Sequence, residues 1–230
     1  MQAIILAAGR GIRLGSLTEN TPKPLLKIGE KPILQHVFES LPSEIDEVLV
    51  VVKYLGNKIK EYFGNNFSNF KIQYVEQGEM AGTAGALWSA RSWLDSKPFL
   101  VINSDDLYSL DDLQILIKHD LAIGLYSVEA ADGNFYGVRL DEQGNLCGFE
   151  KEAANKKLVA TGAYMLDQRI FNYASVQIKN GEFGLPQTLL KLAMDYPVKG
   201  VMMKSWLPGN TPDDLRKMEK YIKLSKRTWR

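Results

Sequence analysis

The sequence predicts an α/β fold: a mixed but mainly parallel sheet flanked by helices, with a small antiparallel lobe in its second half. Three observations carry that reading. Apolar runs that read as buried strands alternate with helix-length amphipathic stretches through the first 130 residues. This order calls for parallel strands joined by right-handed crossovers. The first run, Ala3 to Ala8, empties into a glycine-rich, basic turn. From Asn134 to Met165 the pattern changes to short strands separated by turn residues, the pattern of antiparallel sheet.

Composition narrows the class. With 230 residues, 45% hydrophobic and 24% charged, and a net charge of +1, the chain is of the ordinary globular kind and can bury a substantial core. One domain, with a lobe inserted or appended, is the natural count. Near-zero charge argues against nonspecific nucleic-acid binding. The single Cys147 excludes an intramolecular disulfide framework and suits a reducing cytoplasm. No signal-peptide pattern precedes the first strand, and no apolar stretch approaches the ~20 residues that span a bilayer. The expectation is a cytoplasmic protein with no membrane partner. The basic tail from Lys217 to Arg230 reads as a solvated helix end.

The turn after the first strand carries Gly9, Gly11 and Gly15 among Arg10 and Arg13, followed by Thr18, Thr21, Pro22 and Lys23. Glycines let backbone N–H groups approach an anion closely, and a row of them makes a phosphate cradle. Arg13 can fork onto a phosphate, and Lys23 can supply a point charge. The P-loop string is absent. The dinucleotide fingerprint begins at Gly9 and Gly11, but Leu14 stands at its third glycine and Lys53 where its acid belongs. Taken alone, the stretch also reads as a glycine-rich turn with solvated charges.

Pro32-Ile33-Leu34 opens a helix with Val37, Phe38 and Leu41 on one side. Glu47 to Val52 is a β-branched strand, Leu55 to Phe63 a helix closed by Gly64, and Lys71 to Val75 a strand. Ligands on such sheets bind at the carboxyl ends of the strands. One end carries Gln77, then Gly82 and Thr83 at a helix start whose free N–H groups point to the sheet edge. Phe99 to Ile102 is a strand ending in Asn103-Ser104-Asp105-Asp106. Carboxylates there are costly unless paired, solvated or metal-bound. Alternatively Asp106, with Ser109 and Asp111, starts the next helix. Ala122 to Val128 is a strand. Tyr136 to Leu140, Leu146 to Glu150 and Val159 to Met165 form the antiparallel lobe. Leu185 to Met194 is helical, Val198 to Met203 a strand, and Pro212 to about Leu224 a closing helix capped by Thr211. His36 and His119 lack metal-ligand spacing, and Trp88 and Trp93 read as helix packing.

Leu6-Ala7-Ala8-Gly9-x-Gly11-x-Arg13 with Thr21-Pro22-Lys23-Pro24-Leu25 resembles the signature of the sugar-1-phosphate nucleotidylyltransferases, also called nucleotide-sugar pyrophosphorylases, in their short form without a C-terminal β-helix. The resemblance extends over most of the chain. It implies the Rossmann-like nucleotide-diphospho-sugar transferase fold and a Mg2+-dependent reaction of a nucleoside triphosphate (NTP) with a sugar 1-phosphate, giving a nucleotide-sugar and pyrophosphate. Residues 1–130 would be the nucleotide half, 131–205 the sugar-phosphate lobe and 206–230 the closing helix. By resemblance Leu6, Ala8, Gly9, Gly11, Gln77, Gly82 and Thr83 bind the nucleotide. Arg13 holds the β- and γ-phosphates, Lys23 the α-phosphate, and Asp105, in an Asn-Ser-Asp that matches the family's Asn-Gly-Asp, the metal. Phe149-Glu150-Lys151 matches the family's Phe-x-Glu-Lys, so Glu150 bonds sugar hydroxyls and Lys151 the sugar phosphate. Gly162 leaves room for the sugar ring and Gly137 faces it. Relatives of this kind are monomers or homodimers.

One departure stands out. The family's Trp-x-Asp-x-Gly-Thr-Pro reads Trp206-Leu207-Pro208-Gly209-Asn210-Thr211-Pro212 here, so Pro208 replaces the second metal-binding acid. Three accounts are open: Asn210 or a water completes the metal shell, the metal rests on Asp105 and triphosphate oxygens, or efficient catalysis is lost. Retained activity is the expectation. The alternatives are an impaired protein that binds nucleotide or nucleotide-sugar, and a cytidylyltransferase for a non-sugar phosphate, against which the Glu150-Lys151 lobe argues. A nucleotide-dependent oxidoreductase is weakened by Leu14 and Lys53.

Overall fold

The computed structural model describes residues 1–129, 137–150 and 156–225. The first half runs β1 (Gln2–Ala7), β2 (Lys27–Ile28), β3 (Lys31–Pro32), α1 (Ile33–Glu39), β4 (Glu47–Val52), α2 (Gly56–Phe63), β5 (Asn66–Phe67), β6 (Phe70–Glu76), α3 (Gly82–Ala90), β7 (Phe99–Asn103), β8 (Asp106–Tyr108) and α4 (Leu110–Leu116). The second runs β9 (Ala122–Glu129), β10 (Gly137–Leu140), β11 (Leu146–Glu150), β12 (Lys156–Leu166), β13 (Val176–Gln177), β14 (Phe183–Gly184), α5 (Leu185–Ala193), β15 (Lys199–Met202), β16 (Trp206–Pro208) and α6 (Pro212–Ser225).

Eight strands form one sheet in the order β15-β9-β12-β7-β1-β4-β6-β5. β1 lies parallel between β4 and β7, and β6 continues parallel beyond β4. β12 is antiparallel to both of its neighbours, and β5 is antiparallel to β6. The carboxyl ends of β1, β4, β6 and β7 therefore meet on one edge, where Leu6 is level with Asn103 and Val52 with Glu76.

Period-two alternation divides each central strand between two cores. Ala3, Ile5 and Ala7 of β1, with Val48, Val50 and Val52 of β4, pack with Leu34, Val37 and Phe38 of α1 and Ile59 and Phe63 of α2. Ile4 and Leu6, with Leu49 and Val51, pack on the other side with Ala84 and Leu87 of α3 and Leu185, Leu189 and Leu192 of α5. The result is three layers, helix on sheet on helix. A third, small cluster joins Ile28, Ile33, Leu107 and Met218, and seats α6 near the carboxyl edge. Among the described residues no helix is long and apolar enough to cross a membrane.

The predicted strands and helices stand within a residue or two of their expected bounds through α3, with three differences elsewhere. The strand expected from Val159 to Met165 is not part of a separate lobe: it is the inner portion of β12, between β7 and β9, and only the β10–β11 hairpin stands apart. Asp106 does not start a helix but begins β8, whose ladder with β16 was not expected; Ser109 caps α4, accepting from the Asp112 N–H at 3.2 Å. Trp88 packs edge-on to Phe171, whereas Trp93 sits half-exposed in a 3-10 turn. The lobe's Tyr136 and Lys151 lie outside the described residues.

Candidate active site

The glycine-rich turn leaves β1 at the carboxyl edge. Gly11 takes a left-handed φ of 66°, and a Cβ there would lie 3.0 Å from the Thr18 methyl. The loop is closed by its own bonds: Thr18 Oγ1 donates to the carbonyls of Gly11 (3.1 Å) and Gly15 (3.2 Å), and buried Leu14 pins it inward. Tyr54, beyond β4, donates to the carbonyls of Thr18 and Glu19 and lies under the Arg10 guanidinium, 5.1 Å from ring centroid to Cζ. Gly9 is different. A Cβ added there meets nothing within 4 Å, and its φ is not left-handed. Neither packing nor backbone geometry requires glycine at this position.

Lys23 follows Pro22, whose extended backbone feeds the 3-10 turn Lys23–Leu25. The side chain runs inward and only 7% of the residue is exposed. A buried ammonium needs partners. Lys23 Nζ pairs with Asp105 Oδ2 and donates to Asn210 Oδ1 at 3.3 Å. The same amide oxygen accepts from an Arg13 terminal nitrogen at 2.8 Å. Four residues that span almost 200 positions of sequence thus form one cluster: Arg13, Lys23, Asp105 and Asn210.

The neighbouring acid does other work. Asp106 is buried and accepts from Asn103 Nδ2 (3.2 Å), Tyr108 Oη (3.4 Å) and the Gly209 N–H (3.4 Å). Burial, then repulsion from Asp105, pushes its carboxyl up to about 7, against the opposing pull of Lys23, Asn103 and Trp206. Tyr108 Oη also donates to the Thr161 carbonyl at 3.0 Å, so this network ties β8 to β12.

The predicted site residues Gly162, Gly137, Gln77, Gly82 and Thr83 have protein neighbours. Gly162 sits at a bulge in β12 with φ 78°, and a Cβ there would collide with the Asn103 amide. Glycine at 162 thus lets the Asn103 amide lie against the strand. Gly137 is level with Glu150 across the β10–β11 hairpin, and a Cβ there would lie 2.7 Å from Glu150 Cγ. Glycine at 137 lets the Glu150 side chain lie across it. Gln77 is buried with its Nε2 donating to the carbonyls of Met80 (2.8 Å) and Gly82 (3.1 Å), so its amide shapes the loop at the end of β6. Gly82 has φ 90°, and its missing side chain makes room for the Phe183 backbone, while Thr83 Oγ1 accepts the Leu185 N–H at 2.9 Å. Lys53, where a dinucleotide fold would carry an acid, donates to the Gly78 carbonyl at 2.8 Å.

Among the described residues no group of three His, Cys, Asp or Glu side chains is placed to hold a metal. A single carboxylate already meets a cation at the carboxyl edge, since Asp105 holds the Lys23 ammonium. That hard oxygen fits Mg2+, which takes few protein ligands and completes its shell with substrate phosphates and water.

A sequence model of the family described as nucleotidyl transferase matches residues 2–218. The chain belongs to the nucleotidyl transferase family. Within it, the chain is 37% identical over 227 residues to the bifunctional protein GlmU of Methanocaldococcus jannaschii, covering 96% of this chain and 54% of the relative. It therefore spans about half the length of the first curated relatives it matches. A D-glycero-α-D-manno-heptose 1-phosphate guanylyltransferase of Campylobacter jejuni is 37% identical over 182 residues, covering 78% of this chain and 81% of that one. A crystal structure of UDP-glucose pyrophosphorylase complexed with UDP-glucose superposes with a TM-score of 0.84 at 19% identity, covering 98% and 99% of the two chains. That likeness shows the fold.

Proposed function

We propose that this protein transfers a nucleotidyl group from an NTP to a sugar 1-phosphate, releasing pyrophosphate. The observation that carries the reading is the convergence of Arg13 and Lys23 on Asn210, with Lys23 paired to Asp105, on the strand edge where α/β sheets bind ligands.

The chemistry asks little of a general base, because the attacking phosphate oxygen is already an anion. It forms a bond to the α-phosphorus as the bond from that phosphorus to the bridging oxygen breaks, and the electron pair leaves on pyrophosphate. The barrier lies in bringing polyanions together and in the charge on the leaving group. Fixed cations and positioning answer both. Lys23, buried and aimed by its proline-flanked turn, supports the α-phosphate. Arg13 supports the β- and γ-phosphates. Asp105 would hold Mg2+, which when bound supplies further positive charge to the phosphate oxygens. Glu150, on the hairpin, orients the sugar.

The test is pyrophosphate release with Mg2+ across UTP, dTTP, GTP and CTP, each with glucose, mannose, amino-sugar and heptose 1-phosphates. The guanylyltransferase relative puts GTP with a manno-heptose 1-phosphate first. One active pair is expected, and Lys23→Ala should lower its turnover by about 10²–10³. Silence across the panel, with nucleotide still bound, would favour the binding-only alternative that Pro208 raises. The reading places the protein in the cytoplasm, where NTPs are available.

A further inference from the structure

We propose that Asn210 is a positioning residue: it aims Arg13 at the nucleotide's β- and γ-phosphates and Lys23 at its α-phosphate, and does so without cancelling their charge. The inference rests on the nucleotidyl-transfer reading, and it assigns to this chain's unusual Pro208-Gly209-Asn210 a role other than metal ligation.

The backbone carries Asn210 to a fixed place. Pro208 is level with Asp106 in the β8–β16 ladder, which anchors the loop to the acidic pair. Gly209 follows, and a side chain there would run into the Asp105 carbonyl. The Asn210 N–H donates to Asp214 Oδ2 at 3.1 Å and the Thr211 N–H to the same oxygen at 2.9 Å, while the Asp214 N–H donates to Thr211 Oγ1 at 3.2 Å. This reciprocal cap locks the start of α6. The amide oxygen of Asn210 then faces the cations, accepting from Arg13 and from Lys23.

Charge explains why an amide suits the position. Arg13 extends from an exposed loop and forms no ion pair among the described residues. Counted formally, the cluster holds two cations and one carboxylate, leaving one positive charge. A carboxylate at 210 would erase that charge and bind the guanidinium strongly, since charge-assisted pairs are about twice as strong as neutral bonds. A neutral acceptor holds Arg13 in place and yields it readily to a phosphate.

Binding of inorganic pyrophosphate, the leaving group, separates this role from metal ligation. It is measured by titration calorimetry in EDTA for the wild type, Asn210→Ala and Asn210→Asp. The expected result is binding weakened about 10-fold in Asn210→Ala, and weakened further in Asn210→Asp, whose carboxylate competes with the anion. In steady-state kinetics Asn210→Ala should raise KM for the NTP and leave KM for the sugar phosphate unchanged. Wild-type affinity of Asn210→Ala in EDTA would overturn the proposal, as would a loss confined to Mg2+-containing buffer, which would make Asn210 a metal ligand. If Asn210→Ala fails to fold, the near-isosteric Asn210→Asp carries the test, and undiminished pyrophosphate binding by it counts against the proposal. Absence of turnover on every substrate pair, with Asn210-dependent pyrophosphate binding intact, would overturn the transfer reading and support the role assigned to Asn210.

Discussion

Gly9 separates demands of the fold from demands of a ligand at the scale of one residue. Gly82 and Gly162 adopt left-handed backbone and have neighbours a methyl would strike, whereas a methyl on Gly9 strikes nothing. Gly9→Ala should therefore melt within about 2 °C of the wild type, as an unburdened surface change does, while binding NTP much more weakly. Thermal melts with and without nucleotide check both halves. Lys23 and Asp105 are singled out by their motifs, and the fold brings the two side chains together. What a motif does not name is the neighbour. The contact of Gly162 with Asn103 joins residues 59 positions apart on two strands, and the bonds of Gln77 to Met80 and Gly82 depend on how the loop folds back, so neither neighbour was legible.

The element that organises the cation cluster is the β8–β16 ribbon with the helix that follows. It escaped the sequence reading because strands of three residues carry no measurable period and their pairing spans about 100 positions. The cap did leave a signal: Thr211-Pro212-Asp213-Asp214 has the spacing of a capping box. Asp214→Ala removes the acceptor of two backbone N–H groups and should cost about 1 kcal/mol, a fall of about 2–4 °C in Tm. It should also raise KM for the NTP, because Asn210 loses the bond that fixes its backbone. Calorimetric melts and steady-state kinetics on one preparation would show the two effects together. A stability loss with an unchanged KM would uncouple α6 from the site.

At the scale of the molecule, the sheet is stabilised by burial on both of its faces. Leu49 is fully buried, far from the cation cluster in β4, and packs into the α3–α5 side. Leu49→Ala should cost about 2–5 kcal/mol and lower Tm by about 5–15 °C, with nucleotide affinity of the folded protein kept. Melts followed by binding below the transition test this. The layered fold was legible because strands covered on both faces read as unbroken apolar runs, and Glu47 to Val52 announces itself in this way. The place of β12 was not, because strand order is a long-range property. Lys156 to Leu166 has the alternation of an antiparallel strand whether it joins a lobe or divides a sheet.

The position of β12 also bears on how the chain is made. Both sheet neighbours of β9, β12 and β15, come later in the sequence. As the nascent chain leaves the ribosome, β7, β1, β4 and β6 can assemble as each is completed. Ala122–Glu129 emerges with neither partner yet synthesised, and its two backbone edges stay open until translation passes Leu166. The first half of this protein can take shape during synthesis, but the union of its halves waits on a single strand, and that strand carries Gly162 at its bulge.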